Sequence, residues 1–198
     1  MPVEESDDEL MVRIREGEEE AFRVLVERHQ DRVYGTVARM MGRAGADTEE
    51  VAQDVFLRVW KSAGSYRPEG KFTVWLMTIL RNLVFTQTAR RNRRREVEAE
   101  DPCNPETGET FTERQADENH RSPPENLIFR ELEQSVEEAL RALPESQRLV
   151  LHLRHTEGLE FEEIMKIMGM SLPAVKSLIF RARESLREKL SGYLSESK

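Results

Sequence analysis

The chain has 198 residues, of which 34% are charged and only 7% aromatic, enough for one large domain or two small ones with lean, mostly aliphatic cores. Its one cysteine, Cys103, excludes an intrachain disulfide and suits a reducing compartment; the opening MPVEESDDEL lacks the basic flank and apolar run of a signal peptide, and no stretch has the length of a membrane span. The net charge of −8 predicts weak binding to free DNA, although charge is segregated along the chain and local fields matter more for DNA contact than the sum.

These features predict a cytoplasmic protein. The abundant Leu, Glu, Arg, Ala and Met favour helices. Asp7 and Asp8 mark a first helix start, with Leu10, Met11 and Ile14 on one face and a break at Gly17. Phe22, Leu25, Val26, His29, Val33, Val37 and Met40 then recur at helical spacing up to Gly42. After a turn at 42–45, Asp47 or Thr48 is the expected cap of a third helix with Val51, Val55, Phe56, Val59 and Trp60 inward. A short loop, 64–70, contains Pro68. A fourth helix runs from about Lys71, with Phe72, Trp75, Leu76, Ile79 and Leu83 inward, into the acid-free basic block Arg90, Arg91, Arg93, Arg94 and Arg95. No run of alternating apolar residues occurs, so the domain reads as all-α.

Residues 96–125 are acidic, hold Pro102, Pro105, Pro123 and Pro124, and contain almost nothing apolar. Such a segment cannot bury enough surface to offset the entropy of ordering. It reads as a flexible acidic linker between two small helical bundles, 1–95 and 126–198. In the second, Phe129, Leu132, Val136, Leu140 and Leu143 form a stripe stopped by Pro144, a residue tolerated in a first helical turn. Leu149, Val150 and Leu153 follow, up to Gly158. Phe161, Ile164, Met165 and Met168 mark a short helix, Gly169-Met170-Ser171 a tight turn capped by Ser171, and a last helix continues to about Leu190.

A short helix, a glycine turn and a longer basic helix form a helix-turn-helix pattern. At about 100° per residue, Val175, Ile179, Ala182, Leu186 and Leu190 fall on the core side of the last helix. Lys176, Ser177 and Phe180 fall roughly opposite, flanked by Arg181. A phenylalanine beside Lys, Ser and Arg suits a major-groove surface, where an aromatic meets a thymine methyl and polar groups reach base edges or phosphates. A helical hairpin with one exposed aromatic is the plainer alternative.

The stretch LPESQRLVLHLRHTEGLEFEEIMKIMGMSLPAVKSLIFRARESLREKL closely resembles the −35-binding domain of extracytoplasmic-function sigma factors, of the sigma-70 family of bacterial RNA polymerase subunits. Independently, DTEEVAQDVFLRVWKSAGSYRPEGKFTVWLMTILRNLVF resembles the same family's polymerase-binding and −10-binding domain. The two cover nearly the whole chain in the family's order. The resemblance implies a sigma factor that binds core RNA polymerase, recognises both promoter elements and promotes DNA opening, with no catalysis and no cofactor of its own.

By matching position, the resemblance implies that Glu50, Gln53 and Asp54 contact the coiled coil of the largest polymerase subunit; they lie away from Val51, Val55 and Val59. Tyr66, Arg67 and Lys71, in the loop Tyr66-Arg67-Pro68-Glu69-Gly70-Lys71, together with Asn82, match the pocket for a flipped, single-stranded −10 base. A base outside the stack needs a shaped cavity and polar groups for its Watson–Crick edge. Tyr66 stands where Phe is usual and Pro68 where Gly is common, which leaves the preferred base open. Trp75 matches a family tryptophan, but its helical position favours core packing. Arg90, Arg91, Arg93 and Arg94 fit phosphates of the adjoining DNA. Lys176, Ser177, Phe180 and Arg181 match the contacts to the duplex −35 element, and Leu178 departs from a frequent arginine. The resemblance further implies an anti-sigma factor as partner and a linker that threads basic polymerase channels.

Other constellations carry less. His152 and His155 lie one turn apart without a second ligand pair and read as surface histidines, so no metal is expected. Met165, Met168 and Met170 read as core filler. No phosphate loop or nucleophile elbow is present. Two further classes compete: a helix-turn-helix regulator that binds duplex DNA without polymerase, and a protein-binding adaptor. The loop with Asn82 and the arginine block argue against the regulator, and the exposed Lys176–Phe180 face argues against the adaptor.

Overall fold

The computed structural model describes residues 5–42, 45–100 and 123–196, with side chains described for 5–42, 45–94 and 132–191. No strand occurs among the described residues, and the helices fall into two domains. Among them, no helix is long and apolar enough to cross a membrane.

The N-terminal domain opens with α1 (Asp7–Arg15), which starts on Ser6. The Ser6 hydroxyl accepts from Glu9 N–H at 3.3 Å while the Glu9 carboxylate accepts from Ser6 N–H at 2.7 Å, a reciprocal pair that satisfies two otherwise orphaned donors. The cap therefore lies one residue ahead of the acids that mark it in the sequence. Leu10, Met11 and Ile14 are buried. Gly17, at φ 91°, ends the helix in a left-handed turn, with Glu18 N–H donating to Arg13 C=O at 3.1 Å.

Next, α2 (Glu19–Met41) buries Leu25, His29, Val33, Val37 and Met40, whereas Phe22 and Val26 are half-buried. The following helix, α3 (Ala46–Ser62), begins earlier than expected: Gly45 is the N-cap, and Asp47 and Thr48 lie in the first turn, where Asp47 complements the helix dipole. Val51, Val55, Phe56 and Val59 are buried, and the rings of Trp60 and Phe22 meet in a T-shaped contact with centroids 5.0 Å apart.

A 3-10 turn at Ala63–Ser65 and an extended Tyr66 lead into α4 (Phe72–Glu100). Its buried residues are Phe72, Leu76, Met77, Leu80 and Val84; Ile79 and Leu83, expected inward, are half-buried. Apolar residues nearly surround this helix, so the pattern alone left its rotation undetermined. The helix also runs past residue 95 through the arginine block. Consecutive helices pack on one another, and α4 also packs on α2.

The C-terminal domain comprises α5 (Pro123–Arg141), α6 (Glu145–His155), α7 (Phe161–Met168) and α8 (Leu172–Glu196), with α8 packed on α5 and α6. Pro144 is the N-cap of α6, one position before the first turn. On α5, Ala139 is buried, Val136 and Leu140 are half-buried and Leu132 is 43% exposed, so the expected stripe is only partly inward. Leu149, Val150, Leu153, Ile164, Ile167, Met168, Val175, Ile179 and Ala182 are buried. Much of the expected linker, residues 101–122 with Cys103, and the side chains of Arg95 and Phe129 lie outside the described residues.

Candidate nucleic-acid interface

On α3, Glu50, Gln53 and Asp54 are exposed at successive helical spacings. The next position of that stripe is Leu57, 51% exposed, which the sequence reading missed. The signal was available: an apolar side chain sits one turn beyond Asp54 on the polar face. Beside this stripe an open groove of about 360 Å³ runs between α2 and α3, lined by Val26, Gln30, Asp31, Tyr34, Glu49, Ala52, Gln53 and Phe56.

The loop after α3 is held from within. Tyr66 is only 6% exposed, and its ring meets Trp75 at 5.0 Å and Phe72 at 5.9 Å. Its hydroxyl donates to the Asp8 carboxylate. Burial, and then the Asp8 carboxylate that needs its proton, push the phenol up from its ordinary pKa. Tyr66 therefore presents little surface of its own at the loop. Arg67 is exposed but folds its guanidinium back onto Tyr66 C=O at 2.9 Å and Gly64 C=O at 3.2 Å. Lys71 is exposed at the foot of α4.

Trp75 is half-buried and lies two helical turns, about 10 Å, from Asn82 on the same side of α4. Asn82 is exposed, its side-chain oxygen accepting from Arg81 at 3.0 Å. From there an accessible stripe continues at helical spacing through Phe85, Thr86, Ala89, Arg90 and Arg93, with Arg81 over the Phe85 ring at 5.4 Å. Arg94 borders the stripe and is exposed. Arg91 differs: it continues the buried Leu80–Val84 face and is half-buried, so it does not belong to the accessible row with its neighbours.

In the second domain, α7 closes on Gly169 (φ 64°), with Met170 N–H donating to Met165 C=O at 3.2 Å. Ser171 C=O then accepts the first bond of α8, from Val175 at 3.0 Å. This turn sets α8 with Lys176, Phe180 and Arg181 outward; Phe180 is 66% exposed. Arg181 is steadied by the half-buried Ser177, whose hydroxyl lies 2.9 Å from its Nη2. Leu178 is half-buried on the flank of the core side, away from this face.

Two expectations fail here. His152 is buried, not a surface residue, with Nε2 3.3 Å from Glu157, while His155 is exposed with Nε2 3.2 Å from Arg183. Of the three methionines, Met168 is buried and Met165 half-buried, but Met170 is 37% exposed. Among the described residues no cluster fit to hold a metal ion occurs.

Comparison with known proteins accounts for both domains. Residues 25–96 match the model of sigma-70 region 2, and residues 133–186 that of sigma-70 region 4. The chain is 32% identical to the RNA polymerase sigma-H factor of Pseudomonas aeruginosa over the full length of both. It is 33% identical to the ECF RNA polymerase sigma-E factor of Escherichia coli K12, over 93% of this chain and 94% of that one. In fold it is similar to RpoE of Bartonella quintana, solved with the anti-sigma factor NepR, at a TM-score of 0.64 and 24% identity over 86% of this chain and 96% of that one. A region 2 match together with full-length relatives leaves no room for a free-standing regulator or an adaptor. The chain belongs to the extracytoplasmic-function sigma factors of the sigma-70 family, the non-catalytic subunits with which RNA polymerase initiates transcription.

Proposed function

We propose a division of labour between three exposed faces of this sigma factor. The α3 stripe of Glu50, Gln53, Asp54 and Leu57 docks on core RNA polymerase. The 66–71 loop and the α4 row from Asn82 to Arg94 hold the opened −10 strand and the phosphates beside it, with Arg67, Lys71, Asn82, Arg90, Arg93 and Arg94 in contact. The α8 face of Lys176, Ser177, Phe180 and Arg181 reads the −35 element as duplex. The observation that carries this reading is Phe180: a side chain 66% exposed among cations is costly on a solvated helix and useful against a thymine methyl.

The acidic surplus of the whole chain fits a protein that grips DNA only when a larger enzyme presents it, and the cytoplasm, where polymerase and DNA meet, is its proposed place of work. An anti-sigma factor is proposed as a further partner, since the Bartonella quintana protein of like fold was solved with one. Reconstituting the chain with core polymerase and mapping transcript starts on genomic DNA tests the function. New, shared −35 and −10 sequences upstream of the starts support it. A chain that binds core without redirecting initiation contradicts it.

A further inference from the structure

Helix α1 precedes residue 25, where the region 2 match begins, and belongs to none of the three exposed faces. Its first two residues nevertheless close a ring of contacts around the loop. Asp7 pairs with Arg28 at 2.7 Å and with His29 Nε2 at 3.0 Å on α2. The His29 ring lies 5.1 Å from Phe72, and Phe72 lies 5.9 Å from Tyr66. Tyr66 donates back to Asp8. Residues 21 and 58 positions apart are thus joined through one turn of helix.

We propose that α1 is a positioning element for the 66–71 loop: the Tyr66–Asp8 hydrogen bond fixes the loop's register on the bundle and thereby sets how sharply it discriminates the −10 base. This rests on the assignment of that loop to the −10 strand. The ring of Tyr66 alone, as in phenylalanine, fills the space between Phe72 and Trp75. The hydroxyl adds one directional bond, and a part-buried hydroxyl is retained at a cost unless it is satisfied. The bond reaches the contact surface directly, because Arg67 is folded onto the carbonyl of Tyr66 itself at 2.9 Å. A shift of Tyr66 therefore carries the Arg67 guanidinium with it. Asp7, paired to α2, keeps Asp8 from following the loop. Tyr66 and Asp8 are positioning residues; the base meets Arg67 and Asn82.

The test uses reconstituted holoenzyme and a promoter set in which each −10 base is replaced by the other three. Tyr66→Phe and Asp8→Ala lower the preference for the best base over the worst at the loop-read position by about fivefold, the value of one net hydrogen bond. Asp8→Asn, whose amide oxygen still accepts, retains the preference, and Tyr66→Phe combined with Asp8→Ala is no worse than either alone. Affinity for core polymerase stays unchanged in all of them. Full discrimination in Tyr66→Phe, or a loss in Asp8→Asn equal to that in Asp8→Ala, overturns the tether. Arg67→Ala and Asn82→Ala are the control for the underlying reading: if they leave base preference intact, the loop assignment fails; if they change it while Tyr66→Phe does not, only the tether fails.

Discussion

The ammonium of Lys176 lies 5.6 Å from the centre of the Phe161 ring, across the turn that joins α7 to α8. Arg154, from α6, lies over the same ring at 5.0 Å. One aromatic on the first helix of the motif thus orients a cation on the recognition helix. An exposed cation–π contact contributes about 0.5–1 kcal/mol. Phe161→Leu should therefore weaken holoenzyme binding to a promoter with an intact −35 element by about two- to fivefold. On a promoter without that element the variant should match the wild type, which a competition binding assay checks.

Arg90 and Arg93 share the exposed row of α4, whereas Arg91 is half-buried and continues the Leu80–Val84 side of the helix. Each phosphate contact steepens the dependence of log K on log salt by nearly one unit. The pair of substitutions Arg90→Ala and Arg93→Ala should flatten that slope by about two units. Arg91→Ala should leave it almost unchanged. Promoter binding by holoenzyme across a salt series measures both.

Leu57 stands 51% exposed beside Asp54 and Gln53. A buried leucine contributes about 1.5–3 kcal/mol relative to an exposed one. If core polymerase covers it, Leu57→Glu lowers core affinity by at least about tenfold. The free protein should keep its stability to within about 0.5 kcal/mol, as surface substitutions do. Unchanged core affinity would remove Leu57 from the docking stripe.

How much of this was legible in the sequence depends on how many faces a helix keeps apolar. The stripe of α3 and the outward Phe180 of α8 follow from period alone, because polar residues bound each stripe sharply. The rotation of α4 does not, since Val74, Trp75, Met77, Ile79, Leu80 and Phe85 supply apolar surface all round it. That ambiguity hid the partial burial of Arg91. The burial of Tyr66 is not legible for another reason: its partner Asp8 lies 58 residues away, and no local pattern announces a tertiary hydrogen bond. The burial of His152 is hidden differently: it follows from how α6 packs in the bundle, and Glu157, only five residues on, becomes its partner through the turn that ends the helix.

Asp7 links α1 to α2 through charge. Its burial alone raises its pKa, but the hydrogen bonds from His29 and Arg28 outweigh this and hold the carboxyl below its ordinary value. A carboxylate depressed by folding stabilises the native state above its unfolded pKa, near 4. That contribution fades as pH falls through the folded value. The stability gap between wild type and Asp7→Asn should be full at pH 7 and close progressively below about pH 4. Urea unfolding at both ends of this range checks it; a gap independent of pH would show that the ion pairs contribute nothing.

The most direct measurement separates the two DNA faces on one promoter, by comparing closed-complex affinity with permanganate reactivity of the −10 thymines. With Lys176→Ala and Arg181→Ala together, closed-complex affinity should fall by about tenfold or more, each lost base or phosphate contact counting about 1 kcal/mol or above, while the fraction of bound complexes that open stays the same. With Asn82→Ala the affinity should hold and the opened fraction should drop. If both variants impair the same step, the assignment of duplex reading to α8 and strand capture to α4 is wrong.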